Sequence, residues 1–293
     1  MRQLVILSGK GGTGKTTLAS AFIRLSKTRA CADCDVDAPN LHLVNGLYTS
    51  HKSAPYFGLP LAEINPAECI SCGECHKSCR FDAIIPGNPY RINPYACEGC
   101  GVCTLVCPVF AIKMKPHKAG SMTLFRTADA VISTAKLAMG SGTSGLLVSQ
   151  VKKRMKEAAK GDVPFAVIDG SPGIGCPVIS ACAGTDLGLL VTEPSLMGLH
   201  DLKRVLGTLR HFHVPAVICI NKADIYPEGT KAIREFAAME GIEVIGEIPY
   251  DEDIPRSMIE GKPFTLLFPD SSAGRAIQHV WEKTIRLLQL EEE

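Results

Sequence analysis

The sequence predicts an α/β fold: a mostly parallel sheet covered by helices on both faces, interrupted by a small α+β module rich in cysteine. Three observations carry this. Short apolar runs at 4–7, 165–168, 187–191, 216–220 and 244–248 alternate with segments of helical periodicity at 18–27, 199–211 and 230–239, the order of elements a parallel sheet requires. The runs lack the polar alternation of a half-exposed strand, so both sheet faces are expected to be covered. Between residues 69 and 107 this pattern stops, and eight cysteines take its place.

At 293 residues the chain has room for about two domains, each able to bury a core. Apolar residues make up 46%, charged ones 21%, and the net charge is +1. That is a globular composition with no electrostatic reason to bind nucleic acid. The stretch 131–151 is apolar but broken by Lys136, Gly140, Gly142 and Gly145, so no membrane insertion is expected. The N-terminal apolar run passes straight into a glycine turn and does not read as a signal peptide. A cytoplasmic location is therefore expected, and in a reducing compartment thirteen cysteines point to metal before disulfides.

The first strand, Leu4-Val5-Ile6-Leu7, leads into Ser8-Gly9-Lys10-Gly11-Gly12-Thr13-Gly14-Lys15-Thr16-Thr17 and then into a helix. Gly9 to Thr16 fits G-x-x-x-x-G-K-[ST] in the strand–turn–helix context a phosphate-binding loop needs. Glycines without Cβ let backbone N–H groups close on phosphate oxygens, and the helix N-terminus adds its dipole. Lys15 is expected on the β/γ-phosphates and Thr16 on Mg²⁺; an unoccupied glycine turn is the alternative. The form KGGTGKT, with Lys10 beside the first glycine, resembles the deviant phosphate loop of the MinD/ParA/Mrp family of ATPases, which also resembles the nitrogenase iron protein. The resemblance implies a P-loop NTPase fold and slow, partner-stimulated ATP hydrolysis. It further implies a homodimer that closes on ATP, with Lys10 reaching the nucleotide of the other subunit.

Further along, Asp33-Cys34-Asp35 follows a short strand, and Asp35 matches the second acid of the family's D-x-D pattern. A carboxylate there would meet the Mg²⁺ shell or the attacking water; a polar turn held by Asp side chains is the alternative. Cys31 and Cys34 are expected to be small buried residues. Phe165 to Asp169 reads as a Walker B strand, with Asp169 holding Mg²⁺ through a water, and 170–175 resembles switch II. Cys176 stands where the nitrogenase iron protein carries a cluster ligand, but no second ligand has a counterpart, so a small buried residue is the expectation. Asn221-Lys222-Ala223-Asp224 spells the N-K-x-D of Ras-like GTPases. In the MinD-like family the same strand end supplies an Asn to adenine and a Pro flanks the base, placing Asn221 and Pro249 there. ATP is the expected nucleotide and GTP the alternative. The run Lys152-Lys153-Arg154 reads as a solvated helix face, and residues 48–60 as a connector.

The cysteines form a repeat. Ile64-Asn65-Pro66 leads to Cys69, Cys72, Gly73, Cys75 and Cys79, then Ala83-Ile84; 28 residues later Ile92-Asn93-Pro94 leads to Cys97, Cys100, Gly101, Cys103 and Cys107, then Ala111-Ile112. This resembles a bacterial ferredoxin with two [4Fe–4S] clusters. Three thiolates at C-x₂-C-x₂-C wrap one cube, and the fourth cysteine ligates the other. One cluster is thus expected on Cys69, Cys72, Cys75 and Cys107, the other on Cys97, Cys100, Cys103 and Cys79; two zinc sites are the alternative. Arg80 stands where Pro108 stands in the second copy, and a cation there would raise the potential of its cluster. The expected layout is a MinD-like ATPase domain at 1–58 and 118–293, with a ferredoxin domain at 59–117 inserted after switch I.

Taken together, ATP-driven dimer closure is expected to gate low-potential electron transfer to an unknown redox or Fe–S partner protein. The alternatives are an Mrp-like Fe–S cluster carrier and a redox-sensing regulatory ATPase. A segment at 273–290 with apolar residues at helical spacing should pack on the core, and the acidic end at 291–293 argues against a membrane-binding terminal helix.

Overall fold

The computed structural model describes every residue except 46, 47, 49, 128, 129, 160, 162 and 290–293; the acidic terminus at 291–293 thus lies outside the described residues. The chain divides into two compact units, one of Met1–Ser53, Met122–Lys136 and Gly145–Glu293, the other of Ala54–Ser121 and Leu137–Ser144.

The elements run β1 (Arg2–Ser8), α1 (Lys15–Ser26), β2 (Ala30–Asp33) and β3 (Ser50–Phe57). The cysteine-bearing unit follows with β4 (Leu61–Ile64), α2 (Glu74–Ser78), β5 (Ile84–Ile85), β6 (Arg91–Ile92), α3 (Val102–Leu105) and β7 (Ile112–Lys115). Then come β8 (Lys118–Arg126), β9 (Val131–Leu137), α4 (Ser144–Ala158), β10 (Phe165–Pro172), α5 (Cys176–Cys182), β11 (Leu187–Thr192) and α6 (Leu196–His211). The chain closes with β12 (Ala216–Asn221), α7 (Pro227–Met239), β13 (Val244–Ile248), α8 (Asp253–Ile259), α9 (Phe264–Leu267) and α10 (Ser272–Leu287).

Nine strands form one sheet in the order β13-β12-β11-β1-β10-β2-β9-β8-β3. From β13 to β9 the pairings are parallel. β10 and β11 are almost wholly buried, as near-continuous apolar strands between two helical layers should be. On one face Trp281 of α10 stacks at a tilt on Phe22 of α1 and Phe165 of β10, with ring centroids 5.1 and 5.6 Å apart. Ile277, Val280, Ile285 and Leu288 are buried beside it, so the closing segment packs as its periodicity predicts. Among the described residues no helix is long and apolar enough to cross a membrane.

Two expectations need correction. The connector expected at 48–60 contains β3, an edge strand. Of its eight residues only Tyr56 is buried, so it carries no apolar signal, the usual condition of an edge. The boundaries of the cysteine-bearing unit are also wider than 59–117: it takes in 54–121 and a returning loop, 137–144. That loop belongs with the cysteines because Gly140 lies against the Tyr95 ring and Gly142 against the Glu98 carboxylate.

Within this unit the two sequence repeats exchange strands. β4, which opens the first repeat, pairs antiparallel with β7 at the end of the second, Ile64 opposite Ile112. β5, closing the first repeat, pairs with β6, opening the second, Ile84 opposite Ile92. The Asn65 N–H bonds the Ala111 carbonyl at 2.8 Å, and the Asn93 N–H bonds the Ala83 carbonyl at 2.7 Å. The same bond is made twice, each time across the repeats.

Candidate functional site

The carboxyl ends of β1, β10 and β2 lie side by side, with Ile6 opposite Asp169 and Asp169 opposite Asp33. This is the edge of an open α/β sheet where ligands bind. The glycine loop leaves β1 there and enters α1 at Lys15 through Gly14, whose backbone is left-handed at φ 96°. A side chain is excluded at Gly14 on a second count, because a Cβ would sit 2.4 Å from the Asn221 amide nitrogen. That amide donates to the Thr13 carbonyl at 2.9 Å. The Ser8 hydroxyl donates to the Lys10 carbonyl at 2.6 Å. The loop spanning Gly9, Gly11, Gly12, Thr13 and Gly14 is thus tied at its middle and its start, and Thr17 lies in the first turn of α1.

Below the loop, acid is concentrated. The Thr16 hydroxyl donates to Asp169 Oδ2 at 2.7 Å, while Asp169 Oδ1 is buried with no partner. Burial pushes the Asp169 carboxyl up to about 6, against the pull of Lys15 and of the Thr16 hydroxyl. Asp33, fully buried, is raised well above the usual range by burial and by Asp169. Burial also raises Asp35 and lowers the ammonium of Lys15, with Asp169 and Asp35 opposing. The Thr16 hydroxyl and the Asp169 carboxylate with its orphaned oxygen are hard oxygen donors of the kind a divalent cation such as Mg²⁺ takes together with phosphate and water. Asp33 braces the neighbouring loop, accepting N–H bonds from Asp35 at 3.2 Å and Leu41 at 3.0 Å, while Asp35 stays half-buried beside it.

Glu193, just beyond β11, holds two lysines. Lys10 lies 3.1 Å from one carboxylate oxygen and Lys222 2.5 Å from the other. Burial alone would raise this carboxyl, but the two ammonium groups more than offset it and leave it lowered. Asp224 accepts the Tyr250 N–H at 2.7 Å, next to half-buried Pro249. The charged residues of N-K-x-D therefore have partners within the chain, and Asn221 serves the phosphate loop.

The eight repeat cysteines gather in two groups. Cys69, Cys72, Cys75 and Cys107 line one hollow, with Tyr90 and Ile112. Cys79, Cys97, Cys100 and Cys103 line the other, with Phe81 and Ile92. The strand exchange causes this sorting: the Ala111 N–H bonds the Cys107 sulfur at 3.3 Å, so pairing β7 with β4 carries Cys107 to the first repeat's thiols. All eight are free thiols. Among the described residues no three His, Cys, Asp or Glu side chains converge closely enough to hold a single metal ion. Four thiols spread around a hollow fit the larger [4Fe–4S] cube better than zinc, whose sulfurs sit ~2.3 Å from one centre. Arg80 is exposed, so water screens its charge at the second group.

Three further expectations meet the structure. Cys31 and Cys34 are buried as expected, and burial drives both thiols far up. Cys176 is not buried: it is exposed as the first residue of α5, although Gly145 of α4 lies against its Cβ, because the end of a helix is covered on one side only. The basic run at 152–154 is not one solvated face. Lys152 is buried, Arg154 donates to the Lys52 carbonyl at 3.1 Å, and Lys153 alone is well exposed.

Residues 4–264 match the CobQ/CobB/MinD/ParA nucleotide binding domain. The chain belongs to this family. It is 32% identical over 288 residues to Uncharacterized protein MJ0578 of Methanocaldococcus jannaschii, covering 96% of this chain and 95% of that one. It is 25% identical over 305 aligned residues to an iron-sulfur cluster carrier protein of Pyrococcus furiosus, covering 98% and 86%. Its fold is similar to that of the septum site-determining protein MinD complexed with Mg-ADP from Pyrococcus horikoshii, at a TM-score of 0.60 and 20% identity, covering 100% and 99%. As a member of this family the chain is a P-loop ATPase of MinD/ParA type.

Proposed function

We propose that this ATPase couples closure of a homodimer on Mg·ATP to low-potential electron transfer through two [4Fe–4S] clusters. The observation that carries the reading is the gathering of eight thiols, four and four, around two hollows in a chain that also holds a complete phosphate loop. In each subunit the backbone N–H groups of the loop and Lys15 hold the β/γ-phosphates, and Asp35 orients the attacking water. Thr16 and Asp169, the latter through a water, would hold Mg²⁺, which supplies charge stabilisation to the transferring phosphate. Lys10 leaves Glu193 to reach the nucleotide of the other subunit. Asn221 and Pro249 border the base, and adenine suits a site whose Lys222 and Asp224 are already paired.

Cys69, Cys72, Cys75 and Cys107 would hold one cluster and Cys79, Cys97, Cys100 and Cys103 the other; bound there, the clusters supply one-electron transfer at low potential. Four thiols per hollow, several of them half-buried or buried, favour resident clusters. Dimer closure then makes the cluster-bearing unit available to a redox partner protein only in the ATP state. The test is a spectroscopic redox titration of the loaded protein with and without Mg·ATP. A change in midpoint potential or transfer rate is expected, and identical values in both states would overturn gating.

The second reading, a cluster carrier, is favoured by the relative from Pyrococcus furiosus that bears that name. Against it, Cys219 is the only cysteine beyond Cys182 and is fully buried, leaving no exposed pair there to bridge two subunits. Transfer of clusters to an apo-ferredoxin would favour the carrier; retention through repeated electron cycles favours gating.

A further inference from the structure

Helix α4 is fastened twice to α5, the helix that follows the expected switch II. In the first turn of α4, Gly145 lies so close that a Cβ there would stand 3.0 Å from the Cys176 Cβ, 3.1 Å from its carbonyl oxygen and 3.1 Å from the Ser180 hydroxyl. Two turns later, Lys152 donates to the carbonyls of Ser180 at 3.4 Å, Ala181 at 2.6 Å and Ala183 at 2.7 Å. These are the carbonyls a helix end leaves without internal partners, and a cation there complements the helix dipole. Lys152 is only 6% exposed, and a charge buried that far needs a fixed set of acceptors; the end of α5 supplies it. The joint is therefore tight at both points.

One residue before Gly145, at the same end, α4 begins with Ser144, the last residue of the 137–144 loop. That loop belongs to the cysteine-bearing unit, where it lies against Tyr95 and Glu98. These two residues flank Cys97, a thiol of the second group. From this first turn onward, Leu147, Val148, Val151 and Met155 bury one face of α4, so the helix moves as one piece with the turn that adjoins the loop.

We propose that α4 is a connecting rod: Gly145 and Lys152 are positioning residues that lock it to α5, so a shift of switch II on nucleotide exchange is carried along the chain to the loop beside Cys97. The proposal rests on the gated reading above and adds the route. It predicts that the second cysteine group responds to nucleotide more strongly than the first.

The test uses the full-length, cluster-loaded protein with Mg·ADP or a non-hydrolysable ATP analogue bound. The readouts are hydrogen–deuterium exchange of residues 137–144 and 95–103, and the midpoint potentials of both clusters. In the wild type, the analogue is expected to change exchange in these segments by about fivefold or more, the low end of typical allosteric coupling. Lys152→Met is expected to abolish that change and the associated potential shift while leaving nucleotide affinity within about twofold, because it touches no part of the nucleotide site. Gly145→Ala, which wedges the seam without removing a hydrogen bond, is expected to do the same and decides the matter if Lys152→Met fails to fold. A full response in the folded variants overturns the rod but leaves gating intact. No response in the wild type overturns both.

Discussion

Glu193 binds two lysines at once, one from the phosphate loop and one from the N-K-x-D segment. In this arrangement Lys10 is held within its own subunit and must be released before it can act on another. Removing the carboxylate charge should therefore favour the dimer. Partly exposed ion pairs of this kind are worth up to about 1 kcal/mol, roughly a fivefold change in an equilibrium. Glu193→Gln is expected to lower the protein concentration for half-maximal ATP-dependent dimerisation by about that factor, as read by analytical ultracentrifugation. None of this was legible in the sequence, where Glu193 lies far from Lys10, as Asn221 lies 208 residues from Thr13. Spacing rules see neighbours along a helix, a strand or a loop; they do not see which loops a sheet brings together. The phosphate loop itself is local, and its spacing was enough to find it.

At the scale of elements, two helices make opposite kinds of attachment. α10 is held by apolar burial, with Trp281 as its anchor against Phe22 and Phe165. Trp281→Ala should cost about 3–5 kcal/mol of unfolding free energy in a denaturant titration, the usual range for a large buried aromatic, with nucleotide affinity little changed in the folded fraction. α4 is fixed to α5 by a buried charge instead. Burial lowers the Lys152 ammonium from 10.5 to about 8, so between those values the folded chain has given up a proton that the unfolded chain keeps. Stability from this group therefore rises with pH across that window, by an amount on the order of 3 kcal/mol. Melting curves of wild type and Lys152→Met from pH 7 to 10 should show the difference moving in favour of the wild type as pH rises; a constant difference would remove the charge from the account. The strands with apolar runs and the amphipathic α10 were legible because burial writes itself into periodicity. β3 was not, because an edge strand with one buried side chain has no period to write. Lys152 was misread for a related reason: a basic run on a helix is usually solvated, and only the end of α5 makes one of its members an inside residue.

At the scale of the molecule, the cysteine-bearing unit is a pair of repeats that complete each other. Cys107 lines the hollow of the first repeat and Cys79 that of the second. Cys107→Ser should therefore disturb the cluster of Cys69, Cys72 and Cys75, not that of its own neighbours Cys97, Cys100 and Cys103. Iron analysis with spectroscopy should find about four irons per chain retained, in the group that includes Cys79. Loss from the other group would reverse the assignment. The division of the eight cysteines into two groups of four was legible from their spacing, and so was the crossing of the fourth cysteine. The strand exchange that enforces it was not, since β5 and β6 are only two residues long.

That exchange also bears on ancestry. A peptide carrying a single copy of the repeat has three thiols facing one way, a fourth facing elsewhere and an unpaired strand at each end. It can close neither hollow alone. Two copies of such a peptide, placed head to tail, would satisfy every strand and every thiol at once, in the arrangement the intact chain now shows. The tandem repeat reads as a symmetric pair of small peptides joined into one chain.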